Sequence, residues 1–333
     1  MTNLMLTSRC NLNCDFCFAL DIMGGASKTS LEVSFDIFRK YIDYLDRFGL
    51  GQARLLGGEP TLHPEFSRFL DYALSRGKTV LVFSNGMIST TVLDVLEKIH
   101  PMQCTVLINL TSGDGLPSVR KRQEVVLTRL GQRACLGYTI ARLTHLQLPQ
   151  LLDIIDHTGC QRCLRIAMAQ PSGSSNVFIH PKQYRQVAQH VMALAAEAGR
   201  RKVRVEFDCG FVRCMFSNDE LSVLQKNDVS VDWHCGPVWD ITPDASTFPC
   251  FALAERMQIP NGLDHDPDAL QNQFNSELSV LRIAGVYPEC SSCELRVTEK
   301  CSGGCLAVTL KRLRYTPVTR VFNASEAFAF TKG

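Results

Sequence analysis

Residues 9–17 read Arg9-Cys10-Asn11-Leu12-Asn13-Cys14-Asp15-Phe16-Cys17, which places three thiols within eight residues. Thiols this close can wrap one side of a compact metal centre. A four-iron cubane normally takes four cysteines, so three leave it one ligand short. Such a loop either borrows a fourth ligand or leaves one iron open to a substrate. Closely spaced cysteines also bind zinc, and the triplet alone leaves both readings standing. The residues before it are apolar: Asn3 to Thr7 reads as a β-strand, and the C-terminal ends of parallel strands are where α/β folds place active sites.

Up to about residue 207, short apolar runs alternate with amphipathic ones, the pattern of βα units around a parallel sheet. Strands are expected at Asn3 to Thr7, Ala53 to Leu56, Thr79 to Phe83, Thr105 to Leu110, Ala134 to Ile140, Cys163 to Met168 and Val203 to Phe207. Helices are expected at stretches such as Ser34 to Phe48, Pro64 to Ser75, Thr90 to Ile99, Gln147 to His157 and Pro181 to Ala198. The fold class that follows is α/β, a partial (β/α)6 TIM-like barrel over residues 1–207. Three loops then share one rim: Cys10 follows the first strand, Gly57-Gly58-Glu59-Pro60 the second and Ser84-Asn85-Gly86 the third. Beyond residue 207 the alternation gives way to Cys-, Pro- and Asp-rich sequence, so residues 208–333 are expected to form a smaller domain held partly by metal. Asn261 to Asp268 reads as a turn-rich loop, and the tail after Tyr315 carries little signal.

A length of 333 residues suits one large domain and one smaller one. With 45% apolar and 20% charged residues the composition is that of an ordinary globular protein. The 35 basic and 33 acidic residues nearly cancel, and no run of five Lys/Arg supplies the footprint of a nucleic-acid binder. No apolar stretch approaches the roughly 20 residues that cross a bilayer, and the N-terminus lacks the features of a signal peptide. Neither nucleic acid nor membrane is an expected partner, and the expected location is cytoplasmic. Fifteen cysteines in a reducing compartment then argue for metal or redox chemistry over disulfides. Eight of them lie between residues 209 and 305. Cys104 and Cys135 fall in or beside apolar strands and read as core. Cys160 and Cys163, a redox pair in isolation, precede a strand away from the rim and read as buried and structural.

The Cys10-Cys14-Cys17 spacing, with Gly57-Gly58-Glu59-Pro60 one βα unit later, resembles the radical S-adenosylmethionine (SAM) superfamily. The resemblance implies a [4Fe-4S] cluster on Cys10, Cys14 and Cys17 whose open iron chelates the amino and carboxylate groups of SAM. It also implies reductive cleavage of SAM to methionine and a 5′-deoxyadenosyl radical that abstracts a hydrogen atom from substrate. Phe16 matches the position where the family places an aromatic residue against adenine. Gly57, Gly58, Glu59 and Pro60 resemble the motif that holds the SAM amino group: glycines let a ligand approach the backbone, and the Glu59 carboxylate can pair with an ammonium. Thr61-Leu62-His63-Pro64 continues the match. Ser84 and Asn85 match a site whose polar side chains contact ribose or the SAM carboxylate. Asn109, Thr139 and the run from Arg165 to Met168 stand at strand ends where the family contacts ribose or adenine, and core or rim roles suit them equally.

Cys235 and Cys250, followed by Cys290, Cys293, Cys301 and Cys305, resemble the SPASM-type C-terminal domain that carries auxiliary [4Fe-4S] clusters. Two departures stand out. Seven residues separate Cys293 from Cys301 where the family usually has five, and no cysteine follows Cys305. Upstream, Cys209 and Cys214 supply two thiols where the family more often has one. Family pairing implies Cys235, Cys250 and Cys305 on one cluster with Cys214 or Cys209, and Cys290, Cys293 and Cys301 on a second, completed by the remaining thiol or left open. A zinc ribbon of Cys290, Cys293, Cys301 and Cys305 is the structural alternative.

The resemblance implies an oxidoreductase-type enzyme that modifies a ribosomally made peptide by cross-linking, oxidation or epimerisation. A dehydrogenase or epimerase of a small sugar or alcohol is the alternative, and a non-catalytic iron-sulfur or zinc protein the third reading. Many peptide-modifying members begin with a leader-binding domain, whereas Cys10 stands near residue 1, which favours a small substrate or a separately encoded leader binder. In an epimerase Cys209 or Cys214, if not a ligand, would be the thiol that returns a hydrogen atom. An electron donor such as flavodoxin or ferredoxin is the implied partner.

Overall fold

The computed structural model describes residues 2–23, 31–110, 117–144, 146–172, 177–236, 238–254 and 256–315. The tail after Tyr315 lies outside them. Seven parallel strands follow one another in sequence order: β1 (Thr2–Met5), β2 (Gln52–Leu56), β3 (Thr79–Ser84), β4 (Cys104–Leu110), β5 (Ala134–Ile140), β6 (Cys163–Met168) and β7 (Arg204–Phe207). All seven expected strands are present, within one or two residues at their ends. The sheet stays open, an incomplete TIM-type barrel, because two different edges close its ends. Beside β7 lies the short parallel strand β8 (Val229–Ser230). Beside β1 lie β9 (Trp239–Ile241), also parallel, and then antiparallel β10 (Thr247–Phe248). The sheet therefore runs on past residue 207, and the Cys-rich region contributes three strands to it.

β1, β2, β4 and β5 are buried on both faces over most of their length, as parallel strands are, while β3, β6 and β7 leave one face half-buried. On the outer face Leu4, Leu55, Val82, Ile108, Leu136, Ile166 and Val205 are fully buried beneath the helices. Those helices span Phe35–Arg47, Phe66–Ser75, Thr90–Leu96, Pro117–Leu130, Gln150–Thr158 and Tyr184–Arg201. Ser34 and Ser89 start two of them, their hydroxyls accepting from the amides of Ile37 and Val92 at 3.2 and 3.3 Å. Phe38 stacks on Phe69 at 4.5 Å to join the first two helices. The helix Pro117–Leu130 carries little apolar periodicity, since Arg120, Lys121 and Arg122 interrupt it, and the apolar pattern passed over it.

Inside the barrel Leu107, Cys135 and Cys163 pack with Leu81 and Phe83 into an apolar floor. Cys104 and Cys160 are buried as well, so none of these four thiols faces the rim. The guanidiniums of Arg54 and Arg165 stand 5.3 and 5.8 Å from the Phe83 ring centroid. Asn3 donates to the Asp240 carboxylate at 2.7 Å, tying β1 to β9 from within. The expected loop at Asn261 to Asp268 holds a short turn of helix, Gly262–Asp264, and Asp266 then caps the helix Pro267–Ala284 by accepting from the Asp268 and Ala269 amides. Among the described residues no helix is long and apolar enough to cross a membrane.

Candidate active site

The thiol loop leaves the end of β1 with Cys10 exposed and Cys14 and Cys17 half-buried. Burial pushes the Cys14 thiol up to about 11, and the neighbouring Cys17 and Cys10 push it further in the same direction. Thiols gathered at one site ionise together only when a cation takes up their charge. Arg9 anchors the start of the loop, donating from Nε to Glu32 and from Nη2 to the Leu62 carbonyl, both at 2.6 Å. Arg142, at the end of β5, pairs with Asp15 on its far side.

Gly57 and Gly58 lie directly against this loop. A Cβ on Gly57 would stand 2.6 Å from the Thr7 carbonyl oxygen, and one on Gly58 only 2.2 Å from that of Arg9. The close contact is sealed by amides: Gly58 donates to the Thr7 carbonyl at 2.8 Å and Glu59 to the Arg9 carbonyl at 2.7 Å. The glycines thus admit the backbone of the thiol loop itself, where the sequence suggested room for a ligand.

Glu59 is 0% exposed. Its carboxylate accepts from the Thr61 hydroxyl at 2.6 Å, the Ser84 hydroxyl at 3.0 Å and the Asn85 amide at 2.7 Å. Burial raises its pKa, and these donors oppose the shift. The carboxylate points inward onto these neutral donors and binds β2 to β3. Ser84 and Pro60 are buried with it. Asn85 does face the loop, its Nδ2 lying 2.8 Å from Asn11 Oδ1 and 3.6 Å from Cys10 Sγ. Asn11 returns a bond to the Met87 carbonyl at 2.9 Å.

Phe16 and Thr139 are half-buried and Asn109 is exposed, so all three have surface to offer a ligand. Met168 does not. It lies in the core at 2% exposure beneath Gly210, where a Cβ would stand 2.9 Å from Met168 Cβ. The residue missed by sequence reading is Gln123, fully buried, whose Nε2 donates to the carbonyls of Asn85 at 2.7 Å and Asn109 at 3.1 Å. A polar residue sharing a helix face with buried Val126, Leu127 and Leu130 was its signal.

The eight C-terminal thiols sort into two sets of four by the groups that act on each. Cys209, exposed at its surface, is pushed well above its ordinary range first by Asp208, with Cys235, Cys305 and Cys250 also raising it. Burial raises Cys214 to about 11, with Cys290, Cys301 and Cys293 adding to it. Cys235, Cys250 and Cys305 also pack together against Leu253, Leu278, Leu281 and Leu306, an apolar shell. Cys305 thus stands with Cys235 and Cys250 on one apolar shell. Among the described residues no three His, Cys, Asp or Glu converge tightly enough for a single metal ion. A cubane, whose thiolates sit on different irons, asks for wider spacing than zinc with its bonds of about 2.3 Å. The donor sets fit iron-sulfur clusters: all-thiol, mutually repelling when ionised, and one of them walled by apolar side chains. The first set also touches the thiol loop, through Phe18 and Phe251 with ring centroids 5.3 Å apart.

An open parallel barrel whose first three strand ends are knit around a three-thiol loop defines a scaffold for a metal centre at its rim. Residues 4–129 match the family model of the Radical SAM superfamily. Over 200 residues, 59% of this chain and 49% of the relative, it is 25% identical to the tungsten-containing aldehyde ferredoxin oxidoreductase cofactor-modifying protein of Pyrococcus furiosus. Over 107 residues, 32% of this chain and 23% of the relative, it is 32% identical to the antilisterial bacteriocin subtilosin biosynthesis protein AlbA of Bacillus subtilis. The chain spans half or less of the length of these curated relatives. A crystal structure of Streptococcus suis SuiB bound to S-adenosylmethionine superposes with a TM-score of 0.68 at 15% identity, covering 93% of this chain and 73% of that one. That likeness is one of fold.

Proposed function

We propose that the protein is a radical SAM enzyme of oxidoreductase type that modifies a ribosomally made peptide. The observation that carries the reading is the knot of the three rim loops, in which Asn85 reaches Cys10 while Glu59 holds the Ser84-Asn85 turn. A [4Fe-4S] cluster held there with SAM would supply the electron for cleavage of SAM to methionine and a 5′-deoxyadenosyl radical, which would take a hydrogen atom from substrate. Cys10, Cys14 and Cys17 would hold three irons. Asn85 fixes the orientation of Cys10. With the Glu59 carboxylate turned inward, the strand-end backbone at Gly57 and Gly58 is left to receive the SAM ammonium. Phe16 offers an aromatic face for adenine, and Asn109 and Thr139 offer polar groups for ribose.

The peptide substrate is supported by relatives: AlbA acts in bacteriocin biosynthesis, and SuiB has been seen bound to the precursor peptide SuiA. The two thiol quartets, Cys209 with Cys235, Cys250 and Cys305, and Cys214 with Cys290, Cys293 and Cys301, support two auxiliary [4Fe-4S] clusters in a SPASM-like region over residues 208–333. With Cys209 and Cys214 both engaged as ligands neither is left to donate hydrogen, which favours cross-linking or oxidation over epimerisation. The electron for SAM cleavage would come from a flavodoxin or ferredoxin. Anaerobically reconstituted protein given SAM and a strong reductant is expected to release 5′-deoxyadenosine, and Cys10→Ala to release none. Intact clusters without release from the unaltered protein would overturn the reading.

A further inference from the structure

Tyr184 opens the helix Tyr184–Arg201 with its ring 1% exposed. Its hydroxyl is buried and has no hydrogen-bond partner among the described residues. A buried hydroxyl left unpaired is destabilising, and tyrosines in protein interiors normally satisfy theirs. The neighbouring Tyr287, edge-on with ring centroids 6.0 Å apart, does so by donating to the Pro181 carbonyl at 2.9 Å.

Two cysteine-bearing segments lie against Tyr184 and its helix: Tyr287, three residues before Cys290, packs edge-on to its ring, and the turn Arg213–Met215, which includes Cys214, packs against the helix. Val212, Val286 and Cys305 belong to the same continuous core. Gly304 draws these segments together, since a Cβ there would stand 2.8 Å from both Val212 Cγ1 and Val286 Cγ1. The groups acting electrostatically on the phenol are Cys305, Tyr287, Cys214 and Cys290. Cys305 belongs to the first quartet, Cys214 and Cys290 to the second, so thiols of both lie within electrostatic reach of the phenol.

We infer that the Tyr184 hydroxyl donates a hydrogen bond to a sulfur of an auxiliary iron-sulfur cluster and thereby sets that cluster's reduction potential, an inference that rests on the auxiliary-cluster reading above. Cluster sulfides and thiolates are acceptors, and a bond to them favours the reduced, more negative state. Tyr184 is a positioning and tuning residue here, acting on an electron-transfer centre and not on substrate.

The test compares reconstituted wild type, Tyr184→Phe and Tyr287→Phe by iron content and by redox titration followed by electron paramagnetic resonance. In Tyr184→Phe one auxiliary cluster is expected to shift to a more negative potential, with the SAM-binding cluster unmoved. Tyr287→Phe, whose hydroxyl serves a carbonyl, is expected to shift neither. Full iron content in Tyr184→Phe with unchanged auxiliary potentials would overturn the inference alone. Wild type holding about four irons per chain, against about 12 for three cubanes, would overturn the auxiliary-cluster reading with it. Should Tyr184→Phe assemble poorly, the wild type still decides. Its reduced auxiliary centre must show an exchangeable proton coupling that is replaced by deuterium in D2O, and absence of that coupling counts against the hydrogen bond.

Discussion

Glu59 and Gly58 show how the rim depends on single atoms. The Glu59 carboxylate satisfies donors from Thr61, Ser84 and Asn85 while remaining wholly buried. The sequence showed an acid at a strand end and suggested a ligand partner; only the side-chain direction reveals that its partners are the protein's own. Gly58 has no room for a methyl group because the Arg9 carbonyl oxygen occupies its place. Gly58→Ala is therefore expected to push the thiol loop away, costing roughly 1–3 kcal/mol of stability. The same change should abolish 5′-deoxyadenosine release and remove about four irons per chain, with the remaining clusters retained. Gly51→Ala is the control, since a Cβ there meets nothing within 4 Å. Iron assay and chemical denaturation of the two variants check the prediction.

The elements were legible where pattern is local. Serine caps, apolar strands and helical periodicity gave β1 to β7 and the helices over Phe35–Arg47, Phe66–Ser75 and Tyr184–Arg201. The helix Pro117–Leu130 was not legible, because its outward face is basic and its inward face includes Gln123. That glutamine fastens the helix to the ends of β3 and β4, serving the Asn85 and Asn109 carbonyls. Gln123→Leu fits the same space but leaves two carbonyls without their donor. It is expected to lower stability to urea by about 1–3 kcal/mol. It should also weaken SAM cleavage, because Asn85 loses the tie that holds its turn. Equal stability of variant and wild type would show that water replaces the amide.

Across the molecule, one sheet joins the barrel to the Cys-rich region. β9 pairs with β1 through Thr2 with Trp239, Asn3 with Asp240 and Leu4 with Ile241, and the Asn3–Asp240 hydrogen bond reinforces that pairing. Cutting the chain after residue 207 removes β8, β9 and β10 and bares β1, an apolar edge strand. Residues 1–207 alone are expected to aggregate or unfold, as read by sedimentation and circular dichroism. A monomeric, folded fragment would show that the barrel needs no cover on that side.

The sequence by itself determined the parallel βα architecture and the gathering of the first three thiols. Strand and helix periods are written within a few residues, and Cys10, Cys14 and Cys17 lie close enough that any fold keeps them together. Tertiary structure alone decided the rest. It turned Glu59 inward, set Gly57 and Gly58 against a loop some fifty residues earlier in the chain, sorted eight thiols into two quartets and laid β9 beside β1. Each of these depends on which distant segments meet, and the pattern of residues along the chain carries periodicity but not partnership.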